Sequence, residues 1–122
     1  MSGNGQPKET VLQEAQRLVY GDRNADYGHP LDDFDRAGRI IGAILGIPDV
    51  PAEKVPLIMQ AIKISRECNR PKRDNAVDGA GYWGTLEMVH AERERRRFAA
   101  CPALPEAEKI AHGGNGEVHV GV

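Results

Sequence analysis

Apolar residues recur at the α-helical interval in successive stretches of this chain, and glycine or proline closes each stretch. Val11, Leu12, Ala15, Leu18 and Val19 form the first stripe. Thr10 stands before it as an N-cap, Gln13 is placed to complete a capping box, and Gly21 ends it. Leu31, Phe34, Gly38, Ile41 and Leu45 form the second, widened by Ala37 and Ile44, with Pro30 suited to its first turn and Gly46 and Pro48 at its end. Val55, Ile58, Met59, Ile62 and Ser65 predict the inward face of a third helix, with Pro56 either kinking its first turns or marking its true start. Asn69 to Lys72 is a break, after which Asp74 can cap a fourth helix that is a strong former from Thr85 onward. Gly79, Gly81 and Gly84 crowd the early part of that helix, each costing about 1 kcal/mol against alanine. Close approach of another helix or of a ligand is the simplest offset. Residues 22–29 lack an apolar period and read as loop. Glu117 to Val122 can make a short strand, but a lone strand has no partner.

The expected fold is therefore all-α, a compact bundle of about four helices over residues 9–98. Residues 1–8 are expected to be disordered and 99–122 to form a flexible tail. A chain of 122 residues makes one domain, and 40% hydrophobic residues is a thin supply for a core. Such a body is marginal as a monomer, so a homo-oligomer is expected. The net charge of −2 lacks the signature of a polyanion binder, which makes nucleic acid an unlikely partner. Cys68 and Cys101 match no metal spacing and read as lone thiols. No apolar run approaches membrane-spanning length, and the expected location is the cytoplasm, with no membrane partner.

Three groups of residues can carry chemistry. Two acidic pairs, Asp32 with Asp35 and Asp74 with Asp78, each lie about one helical turn apart; brought together they can hold Mg²⁺. Asp35 and Asp78 are the candidates for catalysis, although for Asp32 and Asp33 the reading as helix caps and partners of the helix dipole is preferred. Lys63, Arg66, Lys72 and Arg73 form a basic run able to clamp phosphates, Arg as a planar fork and Lys as a point charge. The competing reading is a solvated face in which Lys63 pairs with Glu67, and for Arg70 and the Arg95–Arg97 run that reading is preferred. Arg23, Tyr27 and His29 can present a cation, a flat ring and an imidazole, and Tyr82 a second ring. The junction from Lys63 to Asp78 carries the most weight. No nucleophilic triad, P-loop or dinucleotide fingerprint is present.

The ordered set Val19-Tyr20-Gly21-Asp22-Arg23, Asp26-Tyr27-Gly28-His29-Pro30, Asp33-Phe34, Lys63-x-x-Arg66 and Asp74-x-x-x-Asp78-x-x-Gly81-Tyr82 resembles a family of small, largely uncharacterised proteins of bacteriophages and actinobacteria. The likeness covers residues 11 to about 96. More distantly, the chain resembles the MazG-type all-α nucleoside triphosphate pyrophosphohydrolases, which bind Mg²⁺ and triphosphate with a Glu-x-x-Glu pair on one helix and a Glu-x-x-Asp pair on a later one. That resemblance implies Asp32-x-x-Asp35 for the first pair and Asp74 or Asn75 with Asp78 for the second. Aspartate is one methylene shorter than glutamate, so the helices would have to approach more closely. The implied function is Mg²⁺-dependent cleavage of a nucleoside triphosphate between its α- and β-phosphates. Its alternatives are a phage protein that sequesters a nucleotide of host defence signalling without cleaving it, and a helical module that binds protein or DNA.

Overall fold

The computed structural model describes residues 8–101; the expected disordered start, save Lys8, and the expected tail and strand, save residues 99–101, lie outside that range, and residues 99 and 100 close the last helix instead of opening the tail. Among the described residues every regular element is helical. Helix α1 (Val11–Tyr20) is followed by α2 (Asp22–Tyr27), α3 (Pro30–Leu45), a 3₁₀ turn (Ala52–Lys54), α4 (Val55–Asn69) and α5 (Arg73–Ala100). Four of these are long, as the stripes predict.

The capping box forms as expected. The Thr10 hydroxyl accepts from the Gln13 amide at 3.1 Å, and the Thr10 amide donates to Gln13 Oε1 at 2.8 Å. The segment expected to be loop is instead the six-residue helix α2, whose Ala25, Asp26 and Tyr27 are exposed. A helix this short and this exposed has no apolar stripe to display, which is why periodicity misses it. Gly28, at φ 78°, ends it by donating its N–H to the Asn24 carbonyl at 3.0 Å.

The second stripe becomes α3, and two of its glycines direct the path of the chain beyond it. Gly46 closes the helix in the left-handed conformation, and the chain doubles back along α3. Val50 donates to the Gly38 carbonyl at 3.1 Å, and a Cβ on Gly38 would fall 1.9 Å from the Val50 carbonyl oxygen. The return brings Ala52 and Val55 into the core with Leu31, Phe34, Tyr82 and Val89. Pro56 sits in the first turn of α4, so it marks the start and not a kink.

Helix α5, about 42 Å long at 1.5 Å per residue, is the axis on which α1, α3 and α4 pack. Two of its three early glycines answer the expectation of a close neighbour: a Cβ on Gly81 would lie 3.3 Å, and one on Gly84 3.5 Å, from methyl groups of the buried Val19 on α1, whereas a Cβ on Gly79 would meet nothing within 4 Å. Asp74 is not the cap of α5. Lys72 holds that position without a side-chain bond, and Glu67 of α4 takes over the work, accepting from the Lys72 amide at 3.1 Å and from Asn75 Nδ2 at 3.0 Å.

The expected inward face of α4 is corrected most. Val55, Pro56, Met59, Gln60 and Lys63 turn inward, whereas Ile58, Ile62 and Ser65 are exposed. The charged residues after Lys63 follow it toward α5, and that rotates the aliphatic side outward.

Candidate functional site

Two clefts gather charged side chains, one near each end of α5. The first, about 520 Å³, lies between the second half of α4 and the first turns of α5. Its cations are Lys63 and Arg66 from α4, Arg70 at the C-cap of that helix and Lys72 from the turn; its acids are Asp74 and Asp78 of α5, with Ser65, Asn69 and Asn75 beside them. The break at 70–72 folds α5 back against α4, so residues separated by that turn face each other. Lys63 Nζ lies 2.7 Å from Asp78 Oδ2, with only 17% of its side chain exposed. Lys63 therefore reaches across to α5 and does not pair with Glu67. The Glu67 carboxyl is held below its ordinary range by the hydrogen bond from Asn75 and then by the Lys72 amide. Among the described residues, Arg66, Arg70 and Lys72 have no carboxylate within ion-pair distance.

The second cleft, about 430 Å³, is lined by Leu31, Asp32 and Asp35 of α3 and Arg93, Arg96 and Arg97 of α5. Here every arginine is already paired. Arg96 donates to both oxygens of Asp32 at 2.8 and 2.9 Å and to Glu92 at 2.8 Å. Arg93 grips Glu53, and Arg97 pairs with Glu94 at 3.2 Å. These bonds pull the carboxyls of Asp32 and Glu53 below their ordinary values, and Arg95 with Arg96 pulls Glu92 to about 2.

The Glu92 carboxyl is deprotonated more easily folded than unfolded, so its stabilising contribution is complete above pH 4.5 and is lost as the pH falls toward about 2. An NMR titration of the Glu92 side-chain carboxyl is expected to show a midpoint near 2. A midpoint near 4.5 would mean that the arginine pairs do not hold in solution.

The expected residues therefore fall into separate places. Asp74, Asp78, Lys63, Arg66 and Lys72 converge in the α4–α5 cleft. Asp32 and Asp35 do not join them. Asp32 is bound to Arg96, and about 27 Å of α5 separates Arg96 from Asp78 at 1.5 Å per residue. Among the described residues no three His, Cys, Asp or Glu side chains gather as a metal-binding group. Arg73 lies outside the cleft, pairing with Glu14 and donating to the Glu9 carbonyl at 2.9 Å, which ties α1 to α5. His29 Nδ1 accepts from the Leu31 amide at 3.0 Å and so caps α3. Tyr82 is 7% exposed within the core and is not placed to stack on a ligand, and Tyr27 is exposed on α2, away from the cleft lining. For Arg23 the structure describes the backbone, within α2. Sequence reasoning passed over Ser65 and Asn69 as site residues, assigned Arg70 to a solvated face and offered Asn75 only as an alternative to Asp74; for Arg70 the available sign was its place seven residues after Lys63 and four after Arg66.

The family model described as "Domain of unknown function (DUF6378)" matches residues 10–90, a range that contains the whole lining of the α4–α5 cleft. The chain is 33% identical over 113 residues to the "Gene 55 protein" of Mycobacterium phage D29, covering 88% of this chain and 74% of that protein. It is 31% identical over 88 residues to the "Gene 55 protein" of Mycobacterium phage L5, covering 71% of this chain and 56% of that protein. No solved structure matches it. The likeness to MazG-type enzymes is not among these matches. No helix among the described residues is long and apolar enough to cross a membrane.

Proposed function

This chain belongs to the DUF6378 family, which carries the description of a domain of unknown function, and we propose that it binds a nucleotide or another phosphorylated small molecule in the α4–α5 cleft. One observation carries the reading: Arg66, Arg70 and Lys72 line a single concavity with no carboxylate partner among the described residues. Lys63 and Asp78 pair with each other, and of the remaining lining residues three cations stand against Asp74, so the concavity keeps an excess of positive charge and gains from an anion that fills the space. The paired arginines of the other cleft offer no such gain. Ser65, Asn69 and Asn75 supply neutral groups that can hydrogen-bond to phosphate oxygens.

The pairing of Asp74 and Asp78 with this array favours a finer reading, Mg²⁺-dependent pyrophosphohydrolysis of a nucleoside triphosphate. Mg²⁺ on a phosphorylated ligand commonly takes only one or two protein carboxylates, with phosphate and water completing its shell. Asp74 and Asp78 fit that sparse set and would hold the ion, which supplies Lewis-acid polarisation of a phosphoryl group. The cations of α4 would then orient the phosphates and spread their charge.

A panel of nucleoside di- and triphosphates, tested with and without Mg²⁺ for melting-temperature shifts and for release of monophosphate and pyrophosphate, distinguishes these readings. A shift without turnover supports binding alone. Turnover that needs Mg²⁺ and disappears in Asp78→Asn supports hydrolysis. If no phosphorylated ligand shifts the melt, both readings fail.

A further inference from the structure

Helix α4 buries Val55 and Pro56 in its first turn but departs from an ordinary surface helix in the rest of its length. Its three charged residues, Lys63, Arg66 and Glu67, turn toward α5, where they line the cleft or bind the start of α5. Its aliphatic residues Leu57, Ile58, Ile62 and Ile64 turn outward, each 36% exposed or more. A monomeric surface helix keeps such aliphatic residues on its covered side. Helix α3 packs beside α4 and adds Ile40 and Ile44, one turn apart, at 55% and 75% exposure.

We infer that the outer face of α3 and α4 is the surface on which a second copy of this chain packs, forming a dimer. The inference stands independently of the ligand proposed above. Two properties of the face select this partner. Its α4 part carries no charged residue, and on α3 the charged pair bordering Ile40, Arg36 with Asp33, is mutually neutralised, so the face offers an acidic or basic partner little to recognise yet complements itself across a two-fold axis. Its size also fits. The open parts of the six aliphatic side chains amount to roughly 360 Å² of apolar surface, taking about 120 Å² for a whole side chain. One side of a standard interface covers about 800 Å², of which roughly 450 Å² is apolar. A lone aliphatic on a protein surface needs no explanation, but six on two adjoining helices, beside a core as small as this one, do.

The test uses the full chain. Sedimentation velocity from micromolar to millimolar concentration is expected to give about twice the 13.3 kDa chain mass, with a melting temperature that rises with concentration. The double substitution Ile62→Glu with Ile64→Glu is expected to give a monomer that keeps its helical circular dichroism. Should that variant not fold, Ile40→Lys with Ile44→Lys reads the same face from α3. Leu12→Glu, on the exposed side of α1, is expected to leave the dimer intact. A chain that stays monomeric at every concentration, with a melt independent of concentration, would falsify the proposal. So would a dimer that both double variants leave unchanged.

Discussion

Replacing Gly38 with alanine is expected to destabilise the protein by about 3 kcal/mol, one of the largest effects of adding a single methyl group anywhere in the chain. The new Cβ would fall 1.9 Å from the Val50 carbonyl oxygen, with the Val50 carbonyl carbon at 3.0 Å. Both are backbone atoms, so no rotamer change relieves the clash. The returning segment must move off α3, which also stretches the Val50 N–H···O bond to Gly38 and draws Ala52 and Val55 away from Phe34. The helix propensity gained on replacing glycine, about 1 kcal/mol, offsets only part of this. At roughly 4–8 °C per kcal/mol for a domain of this size, the melting temperature should fall by about 12 °C or more. Gly79→Ala is the internal comparison. Its Cβ would meet nothing within 4 Å, so the same chemical change on α5 should stabilise by roughly 0.5–1 kcal/mol. Equal melting temperatures for the two variants would show that the segment after Gly46 does not lie on α3.

Arg66→Glu is expected to weaken binding of a phosphorylated ligand by roughly 100-fold or more while leaving the melting temperature of the free protein nearly unchanged. A charge-assisted hydrogen bond contributes about 1.5–3 kcal/mol, or about 10- to 150-fold, and reversal adds repulsion to its loss. Arg66 is exposed and has no ion-pair partner among the described residues, so the fold gives up little when it is changed. The substitution relieves repulsion from Arg70 and Lys72 but adds repulsion from Glu67 and Asp74, so the two effects on the unliganded state oppose each other. Arg36→Glu removes the same charge from the exposed side of α3, outside the cleft lining, and should alter affinity only slightly at physiological salt. Titration calorimetry with the ligand that gives the largest melting shift decides the matter. Comparable losses for Arg66→Glu and Arg36→Glu would mean that net charge, and not the cleft, attracts the ligand.

Local rules made much of this fold readable in the residues. The Thr10–Gln13 box, Pro30 in a first turn, Gly46 at a C-cap and the crowded glycines of α5 all report on neighbours within a few positions or on a close approach. The convergence of Lys63, Arg66, Asp74 and Asp78 was legible because a tight turn at 70–72 must bring the flanking helical turns together. Asp32 and Asp35 show the limit of such reasoning. Their one-turn spacing is the same as that of a metal pair, yet Arg96, far along the chain, takes one of them into an ion-paired network. Tyr82 likewise looks like a ligand's ring until burial places it in the core with Phe34 and Val89.

The sequence by itself determined the four long helices, their order and the basic-to-acidic turn between α4 and α5. Helical period and capping depend on residues no more than a turn or two apart. The tertiary structure alone decided which side of α4 faces inward and which carboxylates share a cleft. An apolar residue is stabilised equally by any dry neighbour, and an aspartate by any arginine within reach. Spacing along the chain therefore leaves the partner open, and only the packing of α1, α3 and α4 around α5 selects it.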